Sequence, residues 1–213
     1  MSLNKYKVTD TKEIEEAEEL INYYDDDYER IGTTTRKEGI DKNLLLEAVQ
    51  VWIINPKNKQ VLMQRRSEDK ENDSNMIDVS ASGHVKSNET PLQAILRESK
   101  EEIGIEPEEL MKTLKEVAIV ELDLSKFGRK GNYFTHEYVA FVEKPISYYK
   151  KQDEEVKKLF FMKYEEVKEK IRNKDKSMRI PKIRQTEELL YKIDENLYNL
   201  SKRKKGELEC EER

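Results

Sequence analysis

The chain has 213 residues, 40% of them charged and 36% hydrophobic, with a mean hydropathy of −0.94. That length suits one well-cored domain, and apolar clusters such as Leu44 to Leu46 and Val117 to Val120 exclude wholesale disorder. A net charge of −5 spread evenly along the chain lacks the one-sided basic footprint of a nucleic-acid binder, and the single cysteine, Cys210, excludes a disulfide framework or a thiolate metal site.

In chain order, Thr11 to Ile21 reads as a short acidic helix, and Tyr23 to Asp27 as a turn-rich piece at one end of a hairpin closing around Gly32. Leu44 to Ile54, rich in Val and Ile and ended by Asn55-Pro56, predicts the first core strand. Val61 to Arg65 is its partner, and Met76 to Ser82 is a short extended piece. Thr90 to Ile103 predicts a helix that Thr90 caps, Pro91 opens and Gly104 closes. Val117 to Leu124 and Tyr133 to Val142 predict two strands joined by a turn at Gly128 to Gly131, and Val156 to Met162 a further strand. Glu165 to Arg172 and Ile183 to Leu200 read as helices, the second with Leu189, Leu190, Ile193 and Leu197 at helical spacing, and the sequence from Ser201 onward as a frayed tail. The start of the chain has no apolar leader, and no run approaches the ~18 apolar residues of a membrane span, so a cytoplasmic protein with no membrane partner is expected.

One segment carries chemistry. Gly83 is followed after five residues by Glu89, and Glu89 after seven by Arg97-Glu98-Ser99-Lys100-Glu101-Glu102-Ile103-Gly104-Ile105. At about 100° per residue, Glu98, Glu101 and Glu102 share one helical face. Leu92, Ile95, Leu96, Ser99 and Ile103 form an adjacent stripe expected to pack on the sheet, and Ala94, one turn before Glu98, leaves space on the carboxylate face. Carboxylates at these spacings repel one another, and a hard cation relieves the repulsion; oxygen ligands suit Mg²⁺, with Mn²⁺ as the alternative. Such an ion polarises phosphoryl oxygens and activates water, which points to attack on a diphosphate. Alone, the three glutamates read more readily as a solvated acidic face; Gly83, Glu89, Arg97 and Gly104 around them reverse that weighting.

The segment resembles the Nudix signature, with all seven fixed identities present and Ser99 where an aliphatic residue or Ala is usual. Looser packing without loss of chemistry is expected at Ser99. The resemblance implies an α/β (α+β) fold, a mixed sheet sandwiched between helices, and Mg²⁺-dependent hydrolysis of a nucleoside- or isoprenoid-type diphosphate. It implies Glu98, Glu101 and Glu102 as catalytic metal ligands, the Gly83 carbonyl as a further ligand, and Glu98 or a residue outside the motif as proton acceptor. It also implies a structural Glu89–Arg97 ion pair and an αL exit at Gly104.

Beyond the motif, the stretches RIGTTTRKE, VWIINPKNKQVLMQRRS and DVSASGHV resemble the branch near isopentenyl-diphosphate isomerase. That activity implies a Cys just before Gly83 and a His at the start of the first core strand. Here Ser80-Ala81-Ser82 and Leu46 stand there, so hydrolysis is favoured, with the isomerase and a catalytically weak ligand-binding protein as alternatives. Arg65 and Arg66 end a strand near the expected substrate and only one can face it, while His84 is a further substrate contact. Glu155 is the candidate extra metal ligand, with Glu154 as its alternative. His136 is expected in the sheet and Trp52 in the core, while Phe134, Tyr138 and Phe141 fit either a ligand pocket or a packed sheet face. The expected organisation is an N-terminal extension over 1–43, the catalytic domain over 44–172, and a helix and charged tail over 173–213, the helix being compatible with a homodimer.

Overall fold

The computed structural model describes residues 19–68 and 72–211, with side chains up to residue 202. The architecture grows from strand β3 (Leu45–Asn55), whose Val, Ile and Trp residues suit a pleated surface. Val49, Val51 and Ile53 are buried on one face of it, and Trp52 and Ile54 on the other. Burial on both faces explains why the strand reads as a continuous apolar run. It pairs antiparallel with β1 (Leu20–Tyr24), β4 (Gln60–Arg66) and β6 (Ala81–His84). It pairs in parallel with β8 (Asn132–Phe141), from Leu45 opposite Asn132 to Ile54 opposite Phe141. The sheet is completed by β2 (Arg30–Thr35) on β1, β5 (Ile77–Asp78) and β9 (Val156–Lys163) on β4, and β7 (Lys115–Asp123) on β8.

Five α-helices are described: α1 (Arg36–Asp41), α2 (Pro91–Ile103), α3 (Pro107–Met111), α4 (Tyr164–Arg172) and α5 (Arg184–Glu211). Ile95, Ile103 and Leu110 of α2 and α3 pack against Val49, Val51 and Ile53. Val167, Ile171, Leu189, Leu190 and Ile193 of α4 and α5 pack against Trp52 and Ile54. The fold is therefore the mixed sheet between helices that the sequence predicts. Residues on either side of 43 share the sheet, and residues on either side of 172 share the second core. Among the described residues no helix is long and apolar enough to cross a membrane.

Several expectations change. The hairpin closes at Asp25 to Glu29, where the Asp25 carboxylate accepts from the Asp27 and Glu29 amides. Gly32 lies inside β2 opposite Tyr23, and a Cβ there would sit 2.9 Å from the Tyr23 ring, so close cross-strand packing is what requires glycine. Of the helix expected over Thr11 to Ile21, residues 11–18 lie outside the described residues, and Leu20 and Ile21 are in β1. Helix α1 buries only Gly39 and so lacks apolar periodicity; Thr35 caps it, and Lys37–Asp41 and Lys42–Glu38 pairs span its turns. The tail expected to fray from Ser201 continues as helix to Glu211, through Lys, Glu and Leu residues that favour helix and with no proline.

Candidate active site

Helix α2 is set by local chemistry. The Thr90 hydroxyl accepts from the Gln93 amide, the Gln93 side chain accepts from the Thr90 amide, Pro91 opens the first turn, and Gly104 leaves in the left-handed region at φ 67°. Ile95, Ser99 and Ile103 are buried as expected, but Leu92 is 40% exposed because it sits in the first turn, and Ala94 is fully buried in the core, so it leaves no space beside the carboxylates. Ser99 is buried with its hydroxyl unpartnered, the mark of a polar atom at an apolar position.

Against this helix lies β6. A Cβ on Gly83 would come 2.0 Å from Glu98 Oε1, so only glycine lets the carboxyl rest on the backbone there. Arg97 donates from Nε and Nη2 to the Glu89 carboxylate at 2.7 and 2.8 Å, the bidentate form that fixes both groups. Its Nη1 donates to Glu98 at 2.7 Å and to Glu101 at 3.2 Å, and Nη2 also donates to the His84 carbonyl at 3.2 Å. Burial works against the Arg97 charge, and Glu89 and Glu98 more than offset it, so its pKa is raised. The expected Glu89–Arg97 pair thus forms and ties the loop after Gly83 to the helix.

Glu102 is buried, accepting from Gln64 Nε2 at 2.9 Å and from the Ser82 amide at 3.1 Å. Burial, then the nearby Glu98, hold its carboxyl well above the usual range. Burial also pushes Glu98 up, to about 7, against the pull of Arg97. Two desolvated carboxyls in one place are what a cation would relieve. Glu101 is half exposed at the rim. Among the described residues no three acidic or histidine side chains already converge as a metal cluster, because Glu98 is turned to Arg97 and Glu102 to Gln64. The oxygen donors, their desolvation and the cradle at Gly83 still fit a hard divalent ion.

Ser82, Gly83, Arg97, Glu98, Glu101 and Glu102 line one cavity of about 870 Å³. Glu155 lines it too and lies near enough to Glu102 to raise its pKa, whereas Glu154 is exposed and off the cavity. Arg66 faces the cavity; Arg65, on the other side of the strand, donates to the Asn75 carbonyl at 2.6 Å and does not line it. His84 lines the cavity with its ring 5.6 Å from Tyr133, and burial, then Arg36 and Arg179, keep it neutral.

The aromatic candidates do not line the cavity. Phe134 packs on Tyr24 and Tyr28, Tyr138 belongs to the core under α2, and Phe141 packs against the opposite core. His136 lies between Glu47 at 3.0 Å and Glu116 at 3.1 Å, away from the cavity. Strand parity instead turns Tyr133, Thr135 and Glu137 of β8 inward. Glu137 is buried and accepts from the Trp52 indole at 3.0 Å; burial, which Asp78 reinforces, pushes it up to about 8. An acidic residue just before the apolar run Tyr138 to Phe141 of β8 was a visible signal for it. Arg129 and Arg179, from loops, carried no such signal; both line the cavity.

A family model, the NUDIX domain, matches residues 44–180. The chain is 29% identical over 161 residues to a Nudix hydrolase of Clostridium acetobutylicum, covering 74% of this chain and 76% of that protein. It is 30% identical over 176 residues to isopentenyl-diphosphate Delta-isomerase 1 of Mus musculus, covering 75% and 76%. Among solved structures, one of a Deinococcus radiodurans protein superposes with a TM-score of 0.60 at 20% identity, covering 81% of this chain and 98% of that one, a likeness of fold.

Proposed function

The chain belongs to the NUDIX hydrolase family, and from that premise we propose that it is a Mg²⁺-dependent pyrophosphohydrolase of a small-molecule diphosphate, nucleoside- or isoprenoid-linked. The observation that carries the reading is the seat of the Glu98 carboxyl on Gly83 beside the buried Glu102, in a cavity large enough for such a molecule. Glu98, Glu101, Glu102 and the Gly83 carbonyl would hold the ion, with Glu155 as a further ligand. When bound, the divalent ion stabilises charge on phosphoryl oxygens and supplies a nucleophilic water at neutral pH. Glu98 takes the proton of the attacking water, and Arg97, anchored by Glu89, positions Glu98 for it. Arg66 and His84 contact the diphosphate from across the cavity; Arg65 is left out.

The likeness to the mouse isomerase makes double-bond isomerisation the second reading. Of the two serines before Gly83, Ser80 has its hydroxyl engaged with the Ile53 amide at 2.8 Å and the Leu62 carbonyl at 2.6 Å, while Ser82 lines the cavity but lacks the readily formed anion of a thiol. The test is phosphate and pyrophosphate release across a panel of diphosphates with Mg²⁺, with product analysis of isopentenyl diphosphate alongside. Glu101→Gln, at a half-exposed position that keeps the fold, is expected to lower kcat by about two to three orders of magnitude. Equal turnover in the variant overturns the carboxylate assignment, and isomerised product without phosphate release overturns hydrolysis.

A further inference from the structure

Three neighbouring strands lay a polar row across the cavity. Ser82 of β6, Gln50 of β3 and Glu137 of β8 are cross-strand partners, and His84, Ala48 and Thr135 are partners in the next row. Partners share a face of the sheet, and all six residues line the cavity. Ser82 marks the carboxylate end, since its amide donates to Glu102. Neighbouring strands lie about 4.8 Å apart, so Glu137 stands two strands and roughly 10 Å from there.

The far part of the row is buried and unpaired. Thr135 is 6% exposed and Glu137 3%. Trp52 donates to one oxygen of Glu137. Among the described residues, the other oxygen, the Thr135 hydroxyl and the Gln50 amide have no hydrogen-bond partner. Burial keeps Glu137 neutral at pH 7, and with Trp52 on one oxygen the proton falls to the other, which becomes a donor. Arg66, Arg129 and Arg179, which also line the cavity, are by contrast tied to Asp73 and Asp78. Beside the row the lining is apolar. Val120 of β7 lies opposite Thr135, and Ile180 and Leu189, from the chain leading into α5, pack in the same core as Val120 and Trp52.

Water can pair these polar groups in an empty cavity, and a ligand that displaces it must pair them itself. An isoprenoid chain has no polar atom beyond its diphosphate and leaves Thr135 and Glu137 unpaired. A sugar pairs them and sets further hydroxyls against Val120, Ile180 and Leu189. A flat heteroaromatic ring offers apolar faces to the aliphatic side chains and donors and acceptors along its edge. We propose that Gln50, Thr135 and Glu137 read the edge of a nucleobase, which makes the substrate a nucleoside-linked diphosphate and not an isoprenoid one. This deepens the hydrolase reading and rests on it for the diphosphate at the carboxylate end.

The row can be tested without turnover. Metal-free protein in EDTA is titrated calorimetrically with the 5′-diphosphates of adenosine, guanosine, cytidine and uridine, with inorganic pyrophosphate and with geranyl diphosphate. At least one nucleotide is expected to bind about tenfold or more tightly than pyrophosphate, and geranyl diphosphate is expected to bind no more tightly than pyrophosphate. Thr135→Val, which keeps the shape and loses the hydroxyl, is expected to weaken that nucleotide about three- to tenfold and to leave pyrophosphate unchanged. Where Thr135→Val loses its native circular dichroism, Gln50→Met, at a partly exposed position, replaces it with the same outcomes. Geranyl diphosphate binding as tightly as the best nucleotide, or no nucleotide binding more tightly than pyrophosphate, overturns the proposal. So does a folded variant that binds the nucleotide unchanged, or that loses nucleotide and pyrophosphate equally. Selective nucleotide binding in EDTA, with no phosphate released from any nucleotide once Mg²⁺ is added, leaves the base-reading row standing and sinks the hydrolase reading instead.

Discussion

The two ends of the cavity are built in opposite ways. The carboxylate end comes from one stretch, Gly83 to Glu102, in which helix geometry alone places Glu98, Glu101 and Glu102 together and one ion pair, Arg97 with Glu89, ties the preceding loop to them. The arginine side is gathered from three places along the chain, at the end of β4, before β8 and after α4, and it is held by the buried Asp78 and the partly buried Asp73. A site made from one helix tolerates changes elsewhere in the chain. A site made from loops stands or falls with the ion pairs that hold the loops, so its chemistry and its stability are coupled.

That contrast can be broken by mutation. The largest effect is expected at Arg179→Ala, which strips the buried Asp78 of its closest partner and unties Asp73; a loss of about 3 kcal/mol is expected, read as a lower midpoint in urea unfolding. A loss below about 0.5 kcal/mol would show that Arg66 and Arg129 hold the aspartates without it. Gly83→Ala acts on the other end: the added methyl displaces Glu98, and divalent-metal affinity is expected to fall by about 10–100-fold with stability much less affected. Unchanged metal affinity by calorimetry would remove Glu98 from the ligand set.

Between the two ends, Glu137 gives a pH dependence. Its folded pKa, about 8, is raised above the usual 4.5, so its contribution to stability is fully present below about 4.5 and is lost as pH rises through about 8. Glu137→Gln is expected to flatten that alkaline decline in Tm; an unchanged slope between pH 6 and pH 9 would place the titration elsewhere. The smallest effect is expected at Ser99→Ala on α2, where removing a buried, unpartnered hydroxyl raises stability by about 1 kcal/mol in the same urea experiment.

The sequence by itself determined the carboxylate end. Spacing along α2, the Thr90 cap, the Gly104 exit and the Glu89–Arg97 partnership are all local or nearly so, and local geometry is readable as periodicity. Apolar runs likewise gave β3, β4, β8 and β9 to within a residue or two. Only the tertiary structure decided which side of each strand meets the cavity, Arg66 over Arg65 and Glu137 over Tyr138, because parity relative to a partner sheet has no meaning before the strands pair. Only it brought Arg129 and Arg179 to the cavity, since a charged residue in a loop reads as solvated surface until another loop closes over it.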